Sequence, residues 1–239
     1  VFCDWYLELA KPVLTGDNAE AKAETRATAA WTLDQILALL HPFQPFVTEE
    51  LWERTGETGP ARDTMLVQAA WPVLDGMVDE TAAADINWLI DLVTAIRSVR
   101  AEMNVPPGAQ VPLALVAPDG ATTDRAARYD ALLSRLARLS SIETVDVAPA
   151  GAIQVVVGET VVALSVADVI DISGERQRLS KDMEKLDKEI GGFEKKLGNA
   201  QFMERAPDHV IEEQRERKAD AEARREKLKG ALARLEGAA

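Results

Sequence analysis

The sequence predicts a mostly α-helical protein in three parts: a helical bundle over residues 1–108, a small α+β domain over 109–173 and an antiparallel coiled-coil hairpin over 174–239. Three observations predict it. Apolar residues recur at helical spacing up to about residue 104. After Val105-Pro106-Pro107-Gly108 the period changes to short strand-like runs between turns. Leu179, Met183, Leu186, Ile190, Phe193 and Leu197 then follow a 4-3-4-3-4 spacing, an unbroken a/d seam.

In the opening stretch VFCDWYLELAKPVL, Val1/Phe2, Trp5, Leu9 and Val13 share a helical face, which predicts a helix to about Leu14 and a stop at Thr15-Gly16-Asp17-Asn18. The stretch has no Met and no signal-peptide architecture and reads as the interior of a helix, so a longer protein ending in this sequence is expected. A second helix from about Ala19 to Leu40 is expected to bury Trp31, Leu33, Ile36, Leu37 and Leu40. Pro42 should force His41 out of the α region and end it. Thr48 then reads as the N-cap of the next helix, with Glu49 and Glu50 at its positive end and Val47 and Trp52 as a hydrophobic staple. Phe43 and Phe46 are expected to pack into the corner. These signals favour scaffold over a ligand site here, and His41 has no Cys, His or nucleophile nearby.

A long helix from about Asp79 to Met103 should bury Ile86, Leu89, Ile90 and Val93. Arg97, Arg100 and Asn104 continue that face, so the apolar stripe turns basic and polar. The arginines either pair with carboxylates of the bundle or contact phosphate or base. VPLALV (111–116) reads as a strand, TTDRAARYDALLSRLARL (122–139) as one amphipathic helix, and IETVDV, AIQVVV and TVVALSV as strands. Gly158-Glu159 signals a tight hairpin between the last two. Arg125, Arg128, Arg135 and Arg138 follow one flank of the helix, either solvated or facing phosphate.

The hairpin's first helix stops at Gly198-Asn199 and a second restarts at Pro207-Asp208, across a loop of about nine residues. Its seam runs through Ile211, Ala221, Leu228, Leu232 and Leu235, diluted by Gln214, Lys218 and Arg225. Gly191-Gly192 inside the first helix suggests a local bend. The net charge of −13 conceals an asymmetry: residues 1–173 carry 11 Lys/Arg against 25 Asp/Glu, and residues 174–239 carry 16 against 15. Any phosphate-binding partner should therefore meet the last 66 residues. One cysteine, Cys3, excludes an internal disulfide framework or a Cys-based zinc site and fits a reducing cytoplasm. No apolar run reaches the roughly 18 residues of a membrane span. The sequence holds no Gly-rich phosphate loop, metal-ligand cluster or nucleophile–base pairing, so neither catalytic nor metal-binding residues are assigned.

FCDWYLELAKP (2–12), HPFQPFVTEELW (41–52), IRSVRAEMNVPPG (96–108) and the pattern LGN..F...AP..V (197–210) resemble the C-terminal portion of bacterial valyl-tRNA synthetases. The first three are similar to the anticodon-binding bundle of the valine, isoleucine and leucine enzymes; the cysteine-free coiled-coil tail resembles the valine enzymes specifically. The resemblance implies a parent that ligates valine to its tRNA using ATP, at a class I site outside this sequence, since neither His-Ile-Gly-His nor Lys-Met-Ser-Lys-Ser occurs in it. It implies valine-accepting tRNA as partner, not DNA or a membrane, no cofactor on this chain, and a monomeric, cytoplasmic parent. Charge and placement then rank Lys22, Arg26, Arg97, Arg100 and Asn104, and on the tail Lys181, Lys185, Lys188, Lys195, Lys196, Arg217, Arg224 and Arg225, as the RNA contacts. The competing reading is a self-associating or protein-binding coiled coil on a helical scaffold.

Overall fold

A computed structural model describes residues 1–237. The fold is mostly helical with a small four-stranded mixed sheet, and it divides into two compact units, Val1–Ala83 and Ala84–Ala239.

The first unit opens with a π-helical turn, Phe2–Tyr6, in which the Phe2 and Tyr6 rings stack at 5.4 Å. It continues as α1 (Leu7–Thr15), then α2 (Ala19–Leu40), which Asn18 caps by accepting from the Ala21 amide. On α2 only Leu37 is fully buried, while Trp31 and Leu40 are exposed. That departs from the expected buried side. The helix is alanine-rich, with large apolar residues spread around it, so spacing alone does not single out one inward face.

The corner that follows is built differently from the sequence expectation. His41 keeps αR geometry and its amide still bonds Leu37 O; Pro42 ends α2 by lacking a donor, not by displacing the residue before it. α3 (Pro45–Thr58) begins at a proline in the first turn, with Gln44 at the N-cap, four residues before the expected cap Thr48. Thr48 is therefore inside the helix. Its buried hydroxyl bonds Gln44 O at 2.8 Å and His41 Nδ1 at 2.8 Å, which ties the corner together. Phe43 and Phe46, 83% and 90% exposed, do not pack into it, and the Val47–Trp52 staple falls away with the shifted cap.

Arg62 supplies the tie the sequence did not reveal. Its guanidinium forks onto Asp34 of α2 at 2.7 and 2.8 Å, donates to Trp52 O and Thr55 Oγ1 of α3, and lies 3.8 Å over the Trp52 ring. Glu49, expected only as helix-end charge, accepts from the amides of Leu66 and Val67 and so holds the 3-10 turn Leu66–Gln68.

α4 (Glu80–Glu102), capped by Asp79, buries Leu89, Leu92, Val93, Ile96 and Val99. The second unit continues with β1 (Val111–Val116), α5 (Gly120–Arg128), α6 (Asp130–Ala137), β2 (Leu139–Val145), β3 (Ala152–Val157) and β4 (Thr160–Ser165). The sheet order is β2-β1-β4-β3; β1 runs parallel to β2 and antiparallel to β4. Pro112 has no amide for the ladder, and the β1–β2 register shifts between Val111 and Pro112. Gly158, at φ +60°, makes the two-residue β3–β4 turn as expected. The single helix expected over 122–139 breaks at Tyr129 into α5 and α6. That break, with Arg138 in the left-handed region, removes the expected arginine flank. Arg125 and Arg128 instead clamp the buried Asp85 of α4 at 2.6 and 2.7 Å.

The tail folds back on itself. α7 (Ile172–Leu197) and α9 (Asp208–Gly237) pack as an antiparallel hairpin, joined through α8 (Ala200–Arg205). The expected loop is thus largely one short helix, with Asn199, expected as a stop signal, capping it through Gln201 and Phe202. α7 is about 39 Å long at 1.5 Å per residue. It continues through Gly191-Gly192 without interruption of the helix. The base of the hairpin is built into the second unit: α9 lies against β3, Arg234 pairs with Glu102, and Arg178 donates to Glu102 O and Glu175.

Candidate nucleic-acid interface

The hairpin's register sets where its charges go. Across it, Lys218 meets Glu194 at 3.1 Å, Arg224 meets Glu189 at 3.6 Å, and Arg225 pairs with Asp187. Lys218 and Arg225 occupy seam positions between Ile211, Ala221 and Leu228, yet their long stems let the charged ends reach the partner helix. The pairing holds Lys218 above the ordinary lysine range, chiefly through its bond to Glu194. Leu179, Leu186 and Phe193 of α7 and Ile211, Ala221, Ala231 and Leu235 of α9 are buried. The apolar seam is consumed inside one chain, which leaves no continuous stripe for self-association through it.

The tail residues singled out by charge fall into two groups. Lys181, Lys188, Lys195 and Lys196 are exposed and, among the described residues, form no ion pair or hydrogen bond. Lys185, Arg217, Arg224 and Arg225 are engaged by Asp182, Glu213, Glu189 and Asp187, respectively. Sequence reasoning passed over Arg205 and Lys227, which likewise make no such bond. Nothing in their local sequence distinguishes them, because pairing depends on the facing helix.

In the first unit, Lys22 and Arg26 lie one turn apart on α2, half-buried and exposed, without a protein partner. Arg97, Arg100 and Asn104 are placed otherwise. Arg100 is only 7% exposed and donates to Pro106 O, Ala109 O and Arg138 O. Desolvation, then the nearby Arg138 charge, pushes its pKa down. Arg97 donates Nε to Leu136 O at 3.0 Å, and Asn104 takes the left-handed conformation (φ 51°) that ends α4. Of these three, Arg100 is withdrawn from solvent, whereas Arg97 and Asn104 are exposed. The described residues contain no metal-ligand cluster and no helix long and apolar enough to cross a membrane.

Residues 1–115 match the family described as "Anticodon-binding domain of tRNA ligase", and residues 171–236 match "Valyl tRNA synthetase tRNA binding arm". The valine–tRNA ligase of Caulobacter vibrioides is 56% identical over 236 residues, covering 98% of this chain and 26% of that protein. Those of Mesorhizobium japonicum and Agrobacterium fabrum are 48% and 47% identical, over 100% and 98% of the chain and 26% and 25% of their own lengths. The chain belongs to the valine–tRNA ligase family. It spans about a quarter of the length of these relatives. The tRNA-binding-arm match takes in α7, α8 and almost all of α9, so the element marked by its heptad seam is the one that carries the family's own signature. The anticodon-binding match contains Lys22, Arg26, Arg97, Arg100 and Asn104.

Proposed function

We propose that this chain is the tRNA-binding region of a valine–tRNA ligase. Residues 1–115 receive the anticodon arm, and the α7–α9 hairpin leans on the outer corner of the folded tRNA. Ligation of valine with ATP takes place in parts of the longer protein outside this sequence, and the chain itself binds no cofactor. The partner is valine-accepting tRNA rather than DNA or a membrane, and the longer protein works as a cytoplasmic monomer. One observation carries the reading: the region matching the tRNA-binding-arm family is a hairpin with bare lysines on its outside, the arrangement phosphate neutralisation requires.

The test is a titration of the 239-residue chain with valine-accepting tRNA and with a non-cognate tRNA at two salt concentrations. If four phosphates are neutralised, affinity should fall roughly a hundredfold between about 50 and 200 mM salt. The valine-accepting tRNA should be preferred at both. Binding indifferent to salt, or none to either tRNA, overturns the proposal.

A further inference from the structure

The arm has several faces, and its charge is not shared among them. Lys181, Lys188 and Lys195 each stand two residues beyond a buried seam residue, Leu179, Leu186 and Phe193. That places them about 200° round α7 from the seam, pointing away from α9, at intervals of about 10.5 Å along the helix. All three are exposed and unpaired, and Lys196 adds a fourth such cation on the adjoining flank. Glu184 is the acidic residue nearest this line.

The other faces differ. On α9, Arg215, Arg217, Lys218, Arg224, Arg225, Lys229 and Arg234 sit within ion-pair distance of a carboxylate, and Lys227 is the exception among the described cations of that helix. One side of the hairpin is a groove of about 440 Å³ where Asp187, Glu194, Glu222 and Glu226 surround Arg225. Phosphate would be repelled there. Between Lys188 and Lys195, moreover, the helix carries the exposed Gly192, while its neighbour Gly191 lines the acidic groove. A Cβ built on Gly192 meets nothing within 4 Å, so protein packing does not ask for glycine at this position. Glycine serves where a ligand must come close to the backbone.

We infer that the outer ridge of α7, Lys181–Lys188–Lys195 with the bare backbone at Gly192 between the last two lysines, is the face of the arm on which the RNA sugar-phosphate backbone lies, and that α9 serves as its internal brace. This rests on the tRNA-binding reading above and names the face it uses.

Two triple variants with the same change in net charge decide it: K181A/K188A/K195A on the ridge and R215A/R217A/K229A on α9. Each is made in the full chain, checked for helicity by circular dichroism, and titrated with an unmodified transcript of valine-accepting tRNA. The ridge variant should bind at least tenfold more weakly at low salt, with the slope of log affinity against log salt reduced by about two to three. The α9 variant should stay within threefold of the parent. Gly192→Leu, which adds bulk without charge, should also bind at least tenfold more weakly. A larger loss from the α9 triple, or unchanged binding by the ridge triple or by Gly192→Leu, overturns the assignment of the face while RNA binding itself stands. If the unaltered chain fails to bind the transcript at all, the tRNA-binding reading falls, and this inference with it.

Discussion

Arg100 and Lys188 are both cations on long helices, yet they do opposite work. Arg100 is enclosed, and its donors are spent on the carbonyls of Pro106, Ala109 and Arg138, so it holds the chain after α4 against the end of α6. Arg100→Met keeps the stem and removes the donors, leaving those carbonyls unpaired. Stability in a denaturant melt is expected to drop by about 2–3 kcal/mol; an unchanged midpoint would show that the carbonyls had no need of it. In the sequence, Arg97 and Arg100 are visible only as the point where an apolar stripe turns basic. Whether such a side chain ends at phosphate, carboxylate or carbonyl depends on segments 6 to 39 positions away, which no local pattern reports. Arg62 illustrates the same limit: its partner Asp34 lies 28 residues back.

The helix starts at Asn18, Asp79 and Pro207-Asp208 are legible in the sequence, whereas the start at Pro45 is not. Asn18 was visible as a turn signal and Asp79 as a helix start, and both act as caps. At the α2–α3 corner the attractive Thr48-Glu49-Glu50 signal lost to Pro45, because a ring with φ already preset starts a helix without any side-chain cap. At α7 the cap is Asp171, whose carboxyl is held below the usual carboxylate range by the Gly174 amide first and the Ser173 hydroxyl second. A depressed pKa contributes stability above the ordinary carboxylate value, about 3.9, and loses it as pH falls through the lowered one. Asp171→Asn keeps a capping oxygen but does not titrate. The parent should therefore melt above the variant near pH 6, and the gap should close as pH drops below about 4. A gap that stays constant across that range would mean the charge plays no part.

At the scale of the molecule, the a/d seam by itself describes residues 174–239 as a self-contained hairpin, separable from the rest. The folded second unit argues otherwise. Leu179, Ala231 and Leu235 are buried, α9 lies on β3, and the Arg234–Glu102 ion pair and the Arg178 bond to Glu102 O join the base of the arm to α4. Deleting 172–239 should lower the melting temperature of the remainder through lost burial. Excising only the distal arm, 186–227, with a short glycine-rich linker in its place, should leave that temperature within a few degrees and weaken tRNA binding. Equal melting of the parent and the full deletion would show the base to be dispensable. What the sequence determined by itself was whatever repeats locally: helical and strand periods, the Gly158 turn, the a/d seam, and the concentration of cations in the tail. Only the tertiary structure decided which cations remain bare and where Phe43 and Phe46 end up. Burial and ion pairing are properties of neighbours brought together by folding, and the spacing of residues along one helix carries no record of the helix that will face it.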